Sequence, residues 1–276
     1  MQIGIFAKTF SGETALDVLQ AVRKAGFECA QYNMACSGLP AMPDAIDAAT
    51  ATAVRTASSR THIPVVAISA TYNMIHPDPA VRAAGHRHLQ VIAASAKSIG
   101  TNLLTLCTGT RDATDQWRGH AENSSPQAWN DLLRAMEHTL DVAEAHDIDL
   151  GIEPELANVV NSATAAQRLI RQLQSERVKI VLDPANLFER AGPTEQQRLV
   201  SQAIEGLADR IVIAHAKDRR ADGSFTVAGK GVLNYQHYLD ALLANGFTGP
   251  LVAHGLEAKD AAATARFLRN KLEDAG

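Results

Sequence analysis

Three segments of mostly apolar residues each end in a side chain that can bind a metal ion. These side chains are Glu153, Asp183 and His215. Carboxylate oxygens and an imidazole suit a divalent cation such as Mn²⁺, Mg²⁺, Co²⁺ or Zn²⁺. If the three segments are neighbouring parallel strands, their carboxyl ends lie side by side at one edge of a sheet. The sequence therefore predicts a site for one divalent metal ion.

Short β-favouring segments alternate with amphipathic segments along the whole chain. The predicted strands span residues 2–6, 28–33, 64–70, 102–107, 148–153, 178–183, 210–215 and 250–254. The predicted helices span residues 13–25, 43–60, 79–99, 126–146, 163–174, 194–208, 234–244 and 258–274. Eight βα units in series, with strands apolar on both faces, favour an α/β fold, the (β/α)8 TIM barrel. The alternative is an open doubly wound sheet, which the absence of a GxGxxG motif after the first strand disfavours.

Composition and charge narrow the range of partners. The chain has 276 residues, of which 46% are hydrophobic, and a net charge of -4. No linker or shift in composition divides it, so we expect a single domain over residues 1–276. The acidic balance predicts no nucleic-acid partner. The three cysteines form no CxxC pair, and no signal peptide or membrane span is evident, so we expect a cytoplasmic protein without a membrane partner.

Further polar and aromatic side chains follow the predicted strands, where a barrel places its active site. The candidates are Lys217, Glu155, Asn186, His254, Arg111, His76 and Trp117. A cation at such a mouth binds a phosphate, a carboxylate or an enediolate oxygen, although a surface salt bridge is the alternative. An aromatic side chain there can stack on a sugar ring or simply pack against the protein. A mouth of this kind suits a small polyhydroxylated ligand.

Four motifs carry a resemblance to a known family. They are Ile152-Glu-Pro-Glu155, Leu182-Asp-Pro-Ala-Asn186, His215-Ala-Lys-Asp218 and the turn Gly229-Lys-Gly231. Together they resemble the xylose-isomerase-like TIM barrel superfamily, the sugar phosphate isomerase/epimerase group, over essentially the whole chain. In that family, a Glu, an Asp, a His and a Glu after strands 5 to 8 bind one divalent metal ion. The resemblance implies that Glu153, Asp183 and His215 are ligands, and that the protein forms a homodimer or homotetramer.

Two positions depart from the family pattern. His254 stands where the strand-8 glutamate is expected, and Asn186 replaces a histidine that helps to position substrate in ketose 3-epimerases. We interpret His254 as a fourth metal ligand, with an acid–base role or a substrate contact as alternatives. The family's proton relay between two glutamates is therefore incomplete in this sequence.

The resemblance implies a divalent-metal-dependent isomerase or epimerase of a keto-sugar or related small polyol, in carbohydrate metabolism. The metal ion would chelate a carbonyl and the adjacent hydroxyl. Glu153 would remove the proton next to that carbonyl to form an enediolate, with Lys217 and His254 as further catalytic residues. Three alternatives remain: a lyase or dehydratase on a keto-inositol or keto-glycoside, a DNA-repair enzyme of the endonuclease IV type, and a non-catalytic sugar-binding barrel. The acidic balance and Asn186 argue against the endonuclease.

Overall fold

The strands of the chain are almost entirely buried, as a parallel sheet covered by helices requires. The computed structural model describes residues 1–275. Its strands are β1 (Ile3–Phe6), β2 (Cys29–Tyr32), β3 (Val65–Ser69), β4 (Leu103–Cys107), β5 (Asp149–Glu153), β6 (Val178–Leu182), β7 (Ile211–Ala216), β8 (Asp218–Arg219), β9 (Phe225–Thr226) and β10 (Leu251–Ala253). All except β8 and β9 form a closed barrel in the order β1-β10-β7-β6-β5-β4-β3-β2. Because β1 pairs in parallel with both β2 and β10, the predicted (β/α)8 TIM barrel is confirmed.

Eight helices cover the outside of the barrel. They are α1 (Ala15–Lys24), α2 (Ala48–Thr61), α3 (Pro79–Ile99), α4 (Pro126–His146), α5 (Ala163–Leu173), α6 (Pro193–Leu207), α7 (Tyr235–Ala244) and α8 (Ala258–Asp274). Most begin at a side chain that accepts a backbone N–H, as Asp47 does from Thr50. This cap starts α2 five residues later than the predicted residue 43. Within residues 1–275, no helix is long and apolar enough to cross a membrane.

The barrel contains its own small apolar core, separate from the large core between strands and helices. Five buried side chains form it: Ala67, Leu103, Val181, Ile213 and Val252. Gly151 lies at the same level of β5, where an added Cβ would come within 3.0 Å of the Val181 side chain. Successive inward-facing residues of a strand are two positions apart. The residues two positions further along these strands therefore stand just above this inner core.

The antiparallel pair β8–β9 was not predicted from the sequence. It follows β7 directly, and Asp218 pairs with Thr226 in its register. The buried Asp218 carboxylate accepts hydrogen bonds from the backbone N–H groups of Gly229, Gly231 and Leu233. A Cβ at Gly231 would lie 2.1 Å from the Arg219 carbonyl oxygen, so only glycine fits there. The resulting loop forms one side of the barrel mouth.

Candidate active site

A cavity of about 560 Å³ opens at the carboxyl end of the barrel. It is lined by residues from all eight barrel strands or from the segments that follow them. The lining residues used below are Phe6, Gln31, Thr105, Cys107, Glu153, Glu155, Lys217 and His254. On β7 the chain passes from Ile213 in the inner core to His215 and then to Lys217 at the cavity wall. The same two-residue period therefore leads from an apolar core to a polar cavity.

Glu153, Asp183 and His215 converge below this cavity as the sequence predicts. Each offers one ligand atom, and the three atoms lie within 4.8 Å of one another. That separation is close to the span of two metal–ligand bonds of about 2.0–2.3 Å. Asp183 Oδ1 accepts the Ala185 N–H at 2.8 Å, whereas its buried Oδ2 has no hydrogen-bond partner among the described residues. A buried carboxylate oxygen without a partner is costly, and a cation would satisfy it.

The hydrogen bonds of His215 also indicate that a proton or a metal ion lies between His215 and Glu153. Gln31 Nε2 donates to Thr105 Oγ1 at 3.1 Å, so Gln31 Oε1 is free to accept the His215 Nε2–H at 2.9 Å. The other ring nitrogen, Nδ1, then lies 3.2 Å from Glu153 Oε1. In a neutral ring this would set one acceptor against another, so either a proton or a metal ion lies between them. The donor set of Glu153, Asp183 and His215 therefore fits a divalent cation.

The contact between His215 and Glu153 also affects the pKa of each side chain. Burial alone would lower the pKa of His215, but the Glu153 carboxylate outweighs it and the net pKa is raised. Burial alone would raise the pKa of Glu153, but the charge and hydrogen bond of His215, together with His254 and Lys217, outweigh it and the net pKa is lowered. Without a metal ion, the contact therefore favours an ionised Glu153 and a protonated His215, whose proton a metal ion would displace.

Asn186 contacts Glu153 instead of the cavity. Its Nδ2 donates to Glu153 Oε1 at 3.1 Å, and the side chain is fully buried. The short 3-10 turn Pro184–Asn186 directs it inward from the end of β6. The sequence predicts a substrate contact at this position. In the structure, Asn186 contacts the Glu153 carboxylate and can orient it.

His254 lines the cavity but lies outside the group of three converging ligand atoms. Its ring stacks on His215 with centroids 5.1 Å apart and an interplanar angle of 7°, and on Phe6 at 5.5 Å. This parallel stacking keeps its nitrogens from converging on the point shared by the other three residues. Burial, together with the neighbouring His215, lowers the pKa of His254 to about 3, so the ring is neutral at pH 7. Its buried Nδ1 has no partner among the described residues.

Lys217 presents a buried ammonium to the cavity. Lys217 is only 7% exposed, and no carboxylate of the described chain lies within 4.0 Å of its Nζ. The ring centroid of Phe225 lies 3.4 Å from Nζ. Glu155 lines the same cavity, and burial followed by the charge on Glu153 raises its pKa to about 8. The predicted candidates Lys217 and Glu155 are thus both brought to the site.

Arg111 and His76 lie away from the cavity, contrary to their predicted contact with substrate. The Arg111 guanidinium pairs with Asp131 on α4 and donates to the Ile75 carbonyl at 3.0 Å. His76 accepts the Asp78 N–H at 3.0 Å and bonds to the Ala113 carbonyl at 3.1 Å. Both side chains hold loops together. Trp117, from the loop after β4, does line the cavity.

Two residues of the site were missed in the sequence. Gln31 is an inward-facing polar residue within the buried strand β2, and that position was the available signal. Phe225 belongs to the β8–β9 pair, whose two-residue strands are too short for any periodicity to show.

The sequence profile described as xylose isomerase-like TIM barrel matches residues 19–271, and the chain belongs to that family. No curated protein sequence matches the chain. Among solved structures, apo 3-keto-D-glucoside 4-epimerase from E. coli is 17% identical with a TM-score of 0.76, covering 98% of this chain and 99% of its own. An L-ribulose 3-epimerase is 20% identical with a TM-score of 0.77, covering 99% and 95%. The probable 3-DHS dehydratase from Bacillus anthracis is 14% identical with a TM-score of 0.77, covering 98% and 99%. At these sequence identities, the structural similarities show a shared fold and nothing further.

Proposed function

We propose that the protein is a divalent-metal-dependent isomerase or epimerase of a keto-sugar or related small polyol. The convergence of Glu153, Asp183 and His215 below a polar cavity supports this most directly. These three residues would hold the metal ion. When bound, the ion would supply a Lewis acid that polarises a ketone oxygen and acidifies the neighbouring C–H.

Glu153 is the proposed general base. Its carboxylate is ionised, borders the cavity, and is oriented by Asn186. It would take the proton from the carbon next to the ketone. The Lys217 ammonium would donate a hydrogen bond to the oxygen on which negative charge develops, since no carboxylate of the described chain lies within 4.0 Å of its Nζ. The His254 ring lines the same cavity and would contact the substrate there.

The names of the structural relatives are compatible with this substrate class. Two of those described are epimerases of a keto-glucoside and of ribulose, and one is a probable dehydratase. A lyase or dehydratase is therefore the second candidate. One geometric feature favours it: Glu153 and Glu155 leave the same strand end, and their carboxyl oxygens lie within 4.8 Å of each other and of the Cys107 sulfur. Elimination needs one base and one acid for the leaving hydroxyl, which adjacent carboxyl groups can supply.

Incubation with ketoses in D₂O tests the proposal. We expect deuterium at the carbon next to the carbonyl, and loss of that exchange in Glu153→Gln and after metal removal by a chelator. The control is Glu257→Gln, an exposed carboxylate beyond β10 that should keep full exchange. Loss of water to an unsaturated product would favour the lyase. Full exchange in Glu153→Gln would refute the assignment of the base.

A further inference from the structure

The rim of the cavity carries exposed large hydrophobic side chains beside the exposed charged residues Lys8 and Glu189. Among residues 1–275, six large hydrophobic side chains are exposed: Val81, Trp117, Leu156, Phe225, Val232 and Leu243. Three of them, Trp117, Leu156 and Phe225, line this one cavity. Single exposed hydrophobic residues are ordinary, but a group of them at the mouth of a pocket indicates a binding surface.

Trp117 is exposed although several side-chain hydrogen bonds hold its loop together. The Asn73 side chain bonds both the N–H and the carbonyl of Thr110, at 3.0 and 2.8 Å. Arg118 makes two hydrogen bonds to Asp112, and the Trp117 N–H donates to Asp115. This scaffold nevertheless leaves the Trp117 residue 52% exposed. The loop therefore holds an indole ring at the cavity instead of burying it against the protein.

Phe225 is fixed at the same mouth by different contacts. Its backbone pairs with Arg219 in the β8–β9 register. Its ring lies 3.4 Å from Lys217 Nζ and 4.0 Å from the Arg219 guanidinium carbon, measured to the ring centroid. Phe225 still remains 42% exposed. The two aromatic rings are thus held in place independently, and each keeps free surface next to the cavity.

We propose that this rim is a second subsite, so that a sugar carrying an aromatic or similarly flat apolar ring as a glycoside is bound in preference to the free monosaccharide. The inference rests on the proposed function for the sugar half of the ligand. The cavity is continuous from Glu153 to Trp117 and Phe225, so one molecule can contact both ends. Its 560 Å³ lies within the range of about 300–1,000 Å³ that is usual for small-molecule pockets, so there is room for a ring beside the sugar. Aromatic side chains favour a stacked ring at such a position.

Binding of phenyl β-D-glucopyranoside and methyl β-D-glucopyranoside, measured by ligand-observed NMR titration, tests the subsite without turnover. We expect the phenyl compound to bind about ten-fold more tightly. Trp117→Ala and Phe225→Ala should each reduce that ratio towards one, and both sites are exposed enough for the fold to survive. The matched control is Val81→Ala on α3, at a residue 44% exposed and outside the cavity, which should leave the ratio unchanged.

Benzyl alcohol serves as a probe that carries the ring without the sugar, in case glucose has the wrong stereochemistry. Its binding, if lost in Trp117→Ala, supports the subsite even when neither glucoside binds. A ratio near one in the wild type, a ratio unchanged in both rim variants, or no contact with any ring-bearing probe overturns it. Metal content is measured on the same protein preparations, and their deuterium exchange is measured separately with ketoses in D₂O, because the glucosides carry no carbonyl group. A preference for the phenyl ring without metal or exchange refutes the proposed function alone, and the reverse result refutes the subsite alone.

Discussion

The two halves of the barrel mouth are built differently. In the half formed by β5, β6, β7 and β10, the ionisable residues Glu153, Asp183, His215, Lys217 and His254 stand at or just beyond strand ends. In the half formed by β1, β2, β3 and β4, the strands themselves carry neutral groups, Lys8 follows β1 at the cavity, and the loop after β4 supplies a wall. Strand ends are fixed by the barrel itself, whereas a loop must first be held by its own contacts. The comparison indicates that the chemistry lies on the first half and that the second shapes the ligand's surroundings.

The largest expected effect comes from removing the proposed base in the first half. Glu153→Gln keeps the size of the side chain but removes the charge that accepts the proton. We expect the rate of proton exchange to fall by about 10²–10⁴-fold. Thermal unfolding should remain cooperative. A variant with wild-type exchange would show that the base lies elsewhere.

Replacing one cationic side chain in each half of the barrel mouth tests the difference between the two halves. Lys217→Met removes the ammonium that faces the cavity, and we expect kcat to fall by about 10²–10³-fold with the fold retained. Arg111→Met removes a cation that contacts Asp131 and not the cavity. Steady-state kinetics of the two variants side by side test this. Equal losses of kcat would contradict the division between the halves.

Gln31 tests whether support from the second half reaches the metal ligands. Its oxygen accepts the His215 Nε2–H and so sets which nitrogen of the ring faces Glu153. We expect Gln31→Leu to weaken metal affinity by about 10–100-fold, the usual cost of losing a residue that orients a metal-binding histidine. Competition with a chromophoric chelator measures it. An unchanged metal affinity would show that the contact between Gln31 and His215 does not support metal binding.

The smallest effect on catalysis is expected for Arg111→Met, and its effect is on stability. The side chains of Arg111 and Asp131 are 8% and 9% exposed, and Arg134 also contacts Asp131, so part of the carboxylate's stabilisation remains. We expect the free energy of unfolding to fall by about 2 kcal/mol. Denaturant titration measures it, with kcat as the control. A large loss of activity at unchanged stability would return Arg111 to the active site.

The sequence could predict the strand-end residues because two physical constraints act on them. An apolar segment that ends in Glu153, Asp183 or His215 places that residue at the carboxyl end of a buried strand, and the barrel brings those ends together. The direction of His254 depends on how its ring packs between His215 and Phe6, which no local pattern reveals.

The loop residues could not be predicted in the same way. Arg111 and His76 are residue types that often bind a substrate. In the structure they instead contact Asp131 and Ala113, which only the tertiary fold brings next to them. A loop carries no period that would tell an inward side chain from one that holds the loop together. The contact of Asn186 with Glu153 could not be predicted for the same reason, since it depends on the turn after β6.

The central claim is that Glu153, Asp183 and His215 bind one divalent metal ion, and metal content tests it most directly. Plasma mass spectrometry is applied to the purified protein, to Asp183→Ala and to His254→Ala, each after incubation with divalent metals and removal of excess. We predict about one equivalent in the wild type and in His254→Ala, and little or none in Asp183→Ala. A wild-type protein that holds no metal after this treatment, or an Asp183→Ala variant that keeps the full equivalent, would contradict the account.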